Sequence, residues 1–491
     1  MISLSSSLRY KSFTPPMEGS NKDLGELVAR NWRKPAVSLF PELMARIFVL
    51  VVRSWGGVEL PHQIKAMNMK HIRRARFTIA AICRQWREVA LSTQLIWSAI
   101  MISHERAGFA SDLFAMELGR SGDSLLSLHI TDPFWSHTTP VPETISIKTT
   151  IVSAAQQAIP RCKNITITAG QMLVGRLLNP LSEVPLPNLE SLSASSHPQD
   201  FPFSLSLINL SSASRLRELR LHFSYQTHLV HLKVSPDADL CSIKLSTSLA
   251  PEDVITIVAQ SPSLKEFTWN ELRGDVSQPF QIEYPGMLYL RELYLHGGVP
   301  VSTLGSFRSL ELTVLELIYH GLDALTAPPT PFPLLESIFF PNLRVLHIGG
   351  YRQMIQDHEP SFVSFILAHS NLRVISVVGH ITEPLAKALS ALPSLLHLTA
   401  ANDGNNVSRV LPVIRKWCTK ARSTVEWKPP TLFVYGVPHP GSWDMGEIKD
   451  ELDLLGFVQQ IWVDKPIFLH QAGASYWDDF LTRMTRIESA P

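Results

Sequence analysis

His228 and His231 stand three residues apart, the spacing that sets two imidazoles on one helix face, where they could share a metal ion. Their segment, YQTHLVHLKV, reads as a strand or loop, so solvated histidines are expected. Four cysteines, Cys83, Cys162, Cys241 and Cys418, are scattered with no CxxC pair. Zinc needs closely spaced ligands. Four buried, reduced thiols in a cytoplasmic or nuclear protein are therefore expected. The acids Asp450, Glu451 and Asp453 follow Lys449 and read as a solvated helix face, as do Asp478 and Asp479. No GxSxG, HExxH, GxGxxG or P-loop string occurs in the sequence. The expectation is a protein that is not an enzyme: no catalytic residue, no metal and no cofactor.

Composition narrows the class further. With 491 residues the chain suits two or three domains. Hydrophobic residues make up 45% and charged residues 18%, enough apolar material for a large core and against wholesale disorder. A net charge of +1, with no basic run of five or more, disfavours a nucleic-acid partner. The longest apolar candidate, Ile47 to Val52, is six residues and ends at Arg53, whereas a membrane span needs about 20. The first thirteen residues, MISLSSSLRYKSF, carry Arg9 and Lys11 and no acid. That fits a disordered leader or, as the alternative, a transit peptide.

Patterned structure begins at Val37. In VSLFPELMARIFVLVV, Pro41 suits a first helical turn, and Glu42 favours the positive end of the helix dipole. Leu43, Ile47 and Leu50 recur at helical spacing beside Phe48 and Val51. Gly56, Gly57 and Pro61 break the pattern. A second helix is expected from about Ile72 to Ala90, with Ile72, Ala75, Ile79, Ile82, Cys83, Trp86 and Val89 as its apolar positions. STQLIWSAI comes next, with Leu95 and Trp97 as anchors.

These segments resemble the F-box family. LFPELMARIF is similar to its opening, a Leu-Pro-Pro-Glu start leading into a helix with an Ile-Phe pair. ICRQWREVALSTQLIW is similar to its closing half, a Cys-Arg-x-Trp core before a Leu-Trp pair. The likeness covers about residues 37 to 100; Phe40 stands where the family usually has Pro, and the loop from Ser54 to His71 is longer. The resemblance implies three packed helices presenting an apolar surface to a Skp-type adaptor, itself bound to a cullin. It further implies that Leu39, Pro41, Leu43 and Ile47 face the adaptor, while Ile79, Cys83 and Trp86 bridge core and interface. Read from periodicity alone, the same helices could simply cap the remainder of the chain.

From about Leu125 onward the chain repeats. Leu-x-x-Leu-x-Leu, with substitutes, begins at Leu189, Leu216, Leu240, Leu264, Leu290, Leu312, Leu343, Leu372 and Leu395, with weaker copies at Leu125 and Cys162. The eight steps from Leu189 to Leu395 average about 26 residues, within the leucine-rich-repeat range. Individual steps vary, 22 from Leu290 to Leu312 and 31 from Leu312 to Leu343, and the Asn of strict repeats is missing. Alternate side chains of each short strand point inward and the others line one outer face. Residues 251–264 and 359–372 read as helical or turn-like returns.

The outer face divides in two. Glu218, Arg220, His222, Lys244, Glu266 and Glu292 make its first half polar; Val314, Val345 and Val374 make its second half apolar. Arg220 and Lys244 beside Glu218 and Glu266 read as solvated ion pairs. Tyr294, Val314, Ile318, Val345, His347, Val374 and Val378 are expected to hold a protein target, because exposed apolar patches mark interaction sites. The alternative is that the C-terminal tail folds over them. In that tail, Val407 to Ala421 reads as an amphipathic helix and Thr431 to Tyr435 as a strand.

The expected organisation is α/β: a leader (1–36), a small three-helix F-box-like domain (37–102), an irregular leucine-rich-repeat solenoid (103–425) and a C-terminal α/β cap (426–491). The implied function is substrate-recognition adaptor of a Skp–cullin–F-box ubiquitin ligase. Its implied partners are the Skp-type adaptor, through it a cullin, and an unknown protein target, with no nucleic acid and no membrane. The alternative is a non-ligase leucine-rich-repeat scaffold with a degenerate F-box.

Overall fold

A computed structural model describes residues 39–55, 66–103, 107–131, 152–153, 155–197, 207–223, 229–247, 249–271, 289–297, 309–318, 339–349, 359–378, 382–395, 397–401 and 431–435. The fold is mixed α/β and divides into two units. One holds the described residues through Ile100 together with Asp112–Ser124; the other holds Met101–Ser111 and the described residues from Leu125 onward.

The first unit is helical. Helix α1 spans Pro41–Trp55, with Glu42 in its first turn and Arg53 in its last, each matched to the helix dipole. Met44, Phe48 and Val52, four residues apart, are buried along one side. The single helix expected from Ile72 to Ala90 is two: α2, Ala66–Ile82, and α3, Arg84–Ser92. Cys83 between them is extended (φ −157°, ψ 171°) and caps α3, its Sγ accepting the Trp86 N–H at 3.4 Å. One extended residue barely shifts the helical phase, so apolar periodicity runs through the break unmarked. A short turn, Gln94–Trp97, then buries Trp97, whose indole N–H donates to the Ala90 carbonyl at 2.8 Å.

Charge is also buried in this unit. Glu117, on helix α4 (Ala107–Arg120), accepts two hydrogen bonds from Arg73, at 3.0 and 2.9 Å, and lies 3.5 Å from Arg76. Glu117 and Arg76 are wholly buried. Arg76 also donates to the Ile96 carbonyl, and Arg76 and Arg120 both lie against the Trp97 ring. Burial pulls the Arg76 guanidinium down to about 10, Glu117 opposing and Arg73 adding to the fall. These contacts tie Asp112–Ser124, a stretch expected to belong to the solenoid, to the helical unit.

Thirteen strands form one sheet: β1 (Ala99–Ser103), β2 (Leu126–Thr131), β3 (Cys162–Gly170), β4 (Ser191–His197), β6 (Glu218–Phe223), β8 (Ser242–Ser246), β9 (Glu266–Glu271), β10 (Glu292–Gly297), β11 (Val314–Ile318), β12 (Val345–Gly349), β13 (Val374–Val378), β14 (His397–Ala401) and β15 (Thr431–Tyr435). They lie side by side in chain order, and from β2 to β15 each neighbouring pair is parallel. Each of the nine Leu-x-x-Leu-x-Leu strings supplies one strand, and the expected strand 431–435 joins at the end. Two strands that no string marks, β5 (Leu207–Leu210) and β7 (His231–Val234), form a separate parallel pair.

The register has a visible cause. Leu192, Leu219, Ile243, Phe267, Leu293, Leu315, Leu346 and Ile375 align across the sheet and are all buried. A slip of one residue would turn each outward. The residue before each strand extends the ladder backward. The Arg217 N–H donates to the Glu190 carbonyl, Cys241 to Arg217, Lys265 to Cys241 and Arg291 to Lys265, then onward through Thr313, Arg344 and Arg373, each at 2.8–2.9 Å. Both returns expected to be helical contain helices, Pro251–Ala259 and Glu359–Ala368.

His369 anchors one of the turns. Its Nδ1 lies 2.6 Å from the Phe365 carbonyl and its Nε2 accepts the Phe340 N–H at 2.9 Å, which requires a neutral ring protonated at Nδ1. Burial lowers its pKa, and burial holds His129 down to about 4. In the unfolded chain such rings take up protons below about 6.5. Folded pKa values below the unfolded value give stability that is complete above about 6.5 and is lost as pH falls toward the folded values. The thermal midpoint is accordingly expected to drop between pH 7.5 and pH 5, and to drop less in His369→Gln; equal drops in both chains would discharge His369 from this role. Separately, Glu117→Ala strands the Arg76 charge and should cost the helical unit about 3–5 kcal/mol by urea denaturation. A loss within the scatter of surface substitutions would show that the pair contributes nothing.

Candidate functional site

Two surfaces carry the residues singled out from sequence. The first is α1. Leu43 and Ile47 are 45% and 37% exposed, Pro41 is exposed, and Leu39 is half-buried. Two further apolar residues join them: Phe40 at 77% and Leu50 at 65% exposed. Leu43, Ile47 and Leu50 take the i, i+4, i+7 spacing of one helix face, beside the buried stripe of Met44, Phe48 and Val52. Next to them opens a groove of about 340 Å³ lined by Ala45, Arg46, Val49 and Leu50 from α1 and by Thr93 and Leu95. Leu95, expected as an anchor, is exposed at its edge, while Trp97 is core.

Ile79 corrects one half of the expectation that it bridges core and interface: its side chain is buried, in the core. Cys83 and Trp86 are half-buried, and the Trp86 ring packs against Phe48 with centroids 4.9 Å apart. Trp86 therefore supports α1 from behind, and Cys83 caps the helix that carries it. Leu50 was readable from spacing. Leu95 was not readable as groove lining, because the proximity of Thr93–Leu95 to α1 is a tertiary fact.

The second surface is the outward face of the sheet. Its first half is a network of polar side chains rather than fully solvated pairs. Lys244 bridges to Glu266, both about a quarter exposed. The Ser242 hydroxyl donates to Glu266 at 2.8 Å, Asn270 to Ser246 at 3.2 Å, and the Tyr294 hydroxyl to Glu292 at 3.0 Å. Burial, then the neighbouring Glu266, pushes the Glu292 carboxyl up; burial and then Glu292 push the Tyr294 phenol up. His296 Nε2 lies 2.7 Å from Glu316.

The second half departs from expectation. Val314, Val345 and Val374 are buried and form one cluster, with Tyr294 packed against it. His347 is buried as well, its pKa lowered by burial. These residues do not present an open apolar patch. The side chains of Ile318 and Val378 lie outside what the structure describes, though their strands pair in register with Gly349 of β12.

The candidate chemical groups stay apart. His231 pairs with Asp253 at 3.0 Å; His228 lies outside the described residues. Cys83, Cys162 and Cys241 are free thiols, Cys162 pushed up to about 12 by burial and Cys241 also raised by burial. Thiols so shifted are poor nucleophiles at neutral pH. Among the described residues no group of three or more His, Cys, Asp or Glu could hold a metal ion, and no helix is long and apolar enough to cross a membrane. Cys418, the five tail acids and the helix expected over 407–421 lie outside the described residues. No protein-family model matches the chain, and no curated protein matches it significantly.

Core and surface on α1 can be separated by stability. Leu43→Asp and Ile47→Asp sit on exposed positions and should change unfolding free energy by no more than about 0.5 kcal/mol each. Phe48→Ala, in the core, should cost about 3–5 kcal/mol. Comparable losses at all three positions would mean that the outer stripe is covered in solution.

Proposed function

We propose that this chain is the substrate-recognition subunit of a Skp–cullin–F-box ubiquitin ligase. The observation that carries the reading is the double apolar character of α1, which buries Met44, Phe48 and Val52 while exposing Leu43, Ile47 and Leu50, with Phe40 exposed just before it. A helix serving only to cap its own unit needs apolar residues on one side. The outer stripe and the groove beside it suit a protein partner that supplies aliphatic and aromatic contacts, with a few anchors giving most of the affinity. Three short helices, α1 to α3, and the motif residues between Leu39 and Trp97 support an F-box docked on a Skp-type adaptor and, through it, a cullin.

The sheet is read as an irregular leucine-rich-repeat solenoid that holds the target. One short strand per repeat, in chain order and parallel, supports that reading. The polar half of the outer face, with Arg220, Lys244, Glu266 and Tyr294, is its accessible part. Action is positional: the chain raises the effective concentration of a target near the ubiquitin-charged enzyme and does no bond chemistry itself. A cytoplasmic or nuclear location suits this role.

The test is capture of a purified Skp-type adaptor by the intact chain. Leu43→Asp together with Ile47→Asp should weaken capture by about 2 kcal/mol or more, roughly thirtyfold, with the fold unchanged by circular dichroism. Failure of the intact chain to bind any such adaptor would leave the non-ligase scaffold as the reading.

A further inference from the structure

Four charged side chains stand together on the outward face of β6 to β9: Glu218, Arg220, Lys244 and Glu266. Two ion pairs are expected of them, and the second of these forms. Lys244 bridges to one oxygen of Glu266 at 2.5 Å, and the other oxygen accepts the Ser242 hydroxyl at 2.8 Å. Glu218 turns elsewhere. It is 7% exposed, its carboxylate lies 3.5 Å from the Ser191 hydroxyl, and the Cys241 thiol is pushed up first by burial and then by the Glu218 charge. Both contacts lie toward the start of the strands, away from Arg220.

Among the described residues Arg220 is left without an ion pair, and its Nε, shielded from solvent, has no hydrogen-bond partner. A shielded guanidinium N–H without an acceptor is costly, and native structures keep few of them. The ground beside it suits an incoming group. Ser193 lies directly across on β4, and Thr166 lies beyond Ser193 on β3. Both are short, half-buried and carry hydroxyls that can donate. Lys244 lies across on the other side, on β8.

Charge then selects the group. The planar fork of one arginine matches one carboxylate. A phosphoryl group brings nearly twice the charge and suits a cluster of arginines. Here the nearest other cation, Lys244, is already engaged by Glu266, and Glu218 stands two residues from Arg220 on the same strand.

We propose that Arg220 is the anchor of the target-holding face and receives an Asp or Glu side chain of the bound protein, with the Ser193 and Thr166 hydroxyls beside it. This deepens the reading of the sheet as the target-holding surface and rests on it.

Random peptides displayed on phage and selected on the intact chain test it. Selected sequences should share an Asp or Glu. A synthetic peptide of such a sequence should lose about tenfold or more in affinity when that acid becomes Asn or Gln, and as much when the chain carries Arg220→Gln. The two changes together should cost no more than either alone, because both remove one contact. Arg220→Lys keeps the charge without the fork and should restore only part of the affinity. If Arg220→Gln alters the circular dichroism spectrum, Arg220→Lys takes its place in the same cycle. Peptides that share no acid, no selected peptides at all, losses that add, full affinity in Arg220→Lys, or tighter binding when phosphoserine replaces the acid each overturn the proposal. Adaptor capture through α1 should be unchanged in Arg220→Gln, so the anchor and the ligase reading fail separately.

Discussion

A short strand in a parallel sheet cannot bury its own leucines. Two or three inward side chains need neighbours above and below, and those come only from the strands on either side. Most of this chain obeys that constraint. The aligned row from Leu192 to Ile375 is one continuous apolar seam shared among strands, and no strand in it owns a core. The amide-to-carbonyl contacts just before each strand work with the seam. They bring each new strand in at the same height, so its leucines meet those of the strand before.

The helical unit solves its packing problem differently. It is small, and its apolar material is divided between a core stripe and an exposed one on the same helix. It compensates with a dense polar centre, where Glu117 is shared by Arg73 and Arg76 and the Trp97 ring is flanked by Arg76 and Arg120. Such groups pin positions where a purely apolar interface could slide. A helix that must keep greasy residues available to solvent benefits from being held firmly from behind. Phe48 against Trp86 does this directly.

The strands were legible in the sequence because they repeat. Nine strings, each with an inward leucine at a fixed offset, located nine strands and their register; Thr431–Tyr435 was found by its own β-forming residues. Of the separate pair, His231–Val234 lies in the segment read as a strand or loop, whereas Leu207–Leu210 was not legible, since four residues outside the repeat carry too little pattern. The division at Cys83 was hidden because one extended residue leaves the helical spacing nearly in phase. Ile79 was expected to bridge core and interface on the strength of the resemblance, and a motif match does not report how deep in the packing a side chain sits. The valine half of the outer face was misjudged for a related reason. Alternation reports which way a side chain points, not how exposed it is, and Val345 is buried in a cluster with Val314 and Val374.

The ladder contacts before each strand have one more consequence. They set strand height locally, from the preceding strand alone, so the length of the intervening connection does not enter. Steps of 22 and 31 residues stand next to each other here, and Glu316 still pairs with Tyr294 on one side and His347 on the other. Insertions and deletions between strands are therefore nearly invisible to the sheet. Such an architecture can lengthen, shorten or exchange its loops over evolutionary time without renegotiating its backbone alignment.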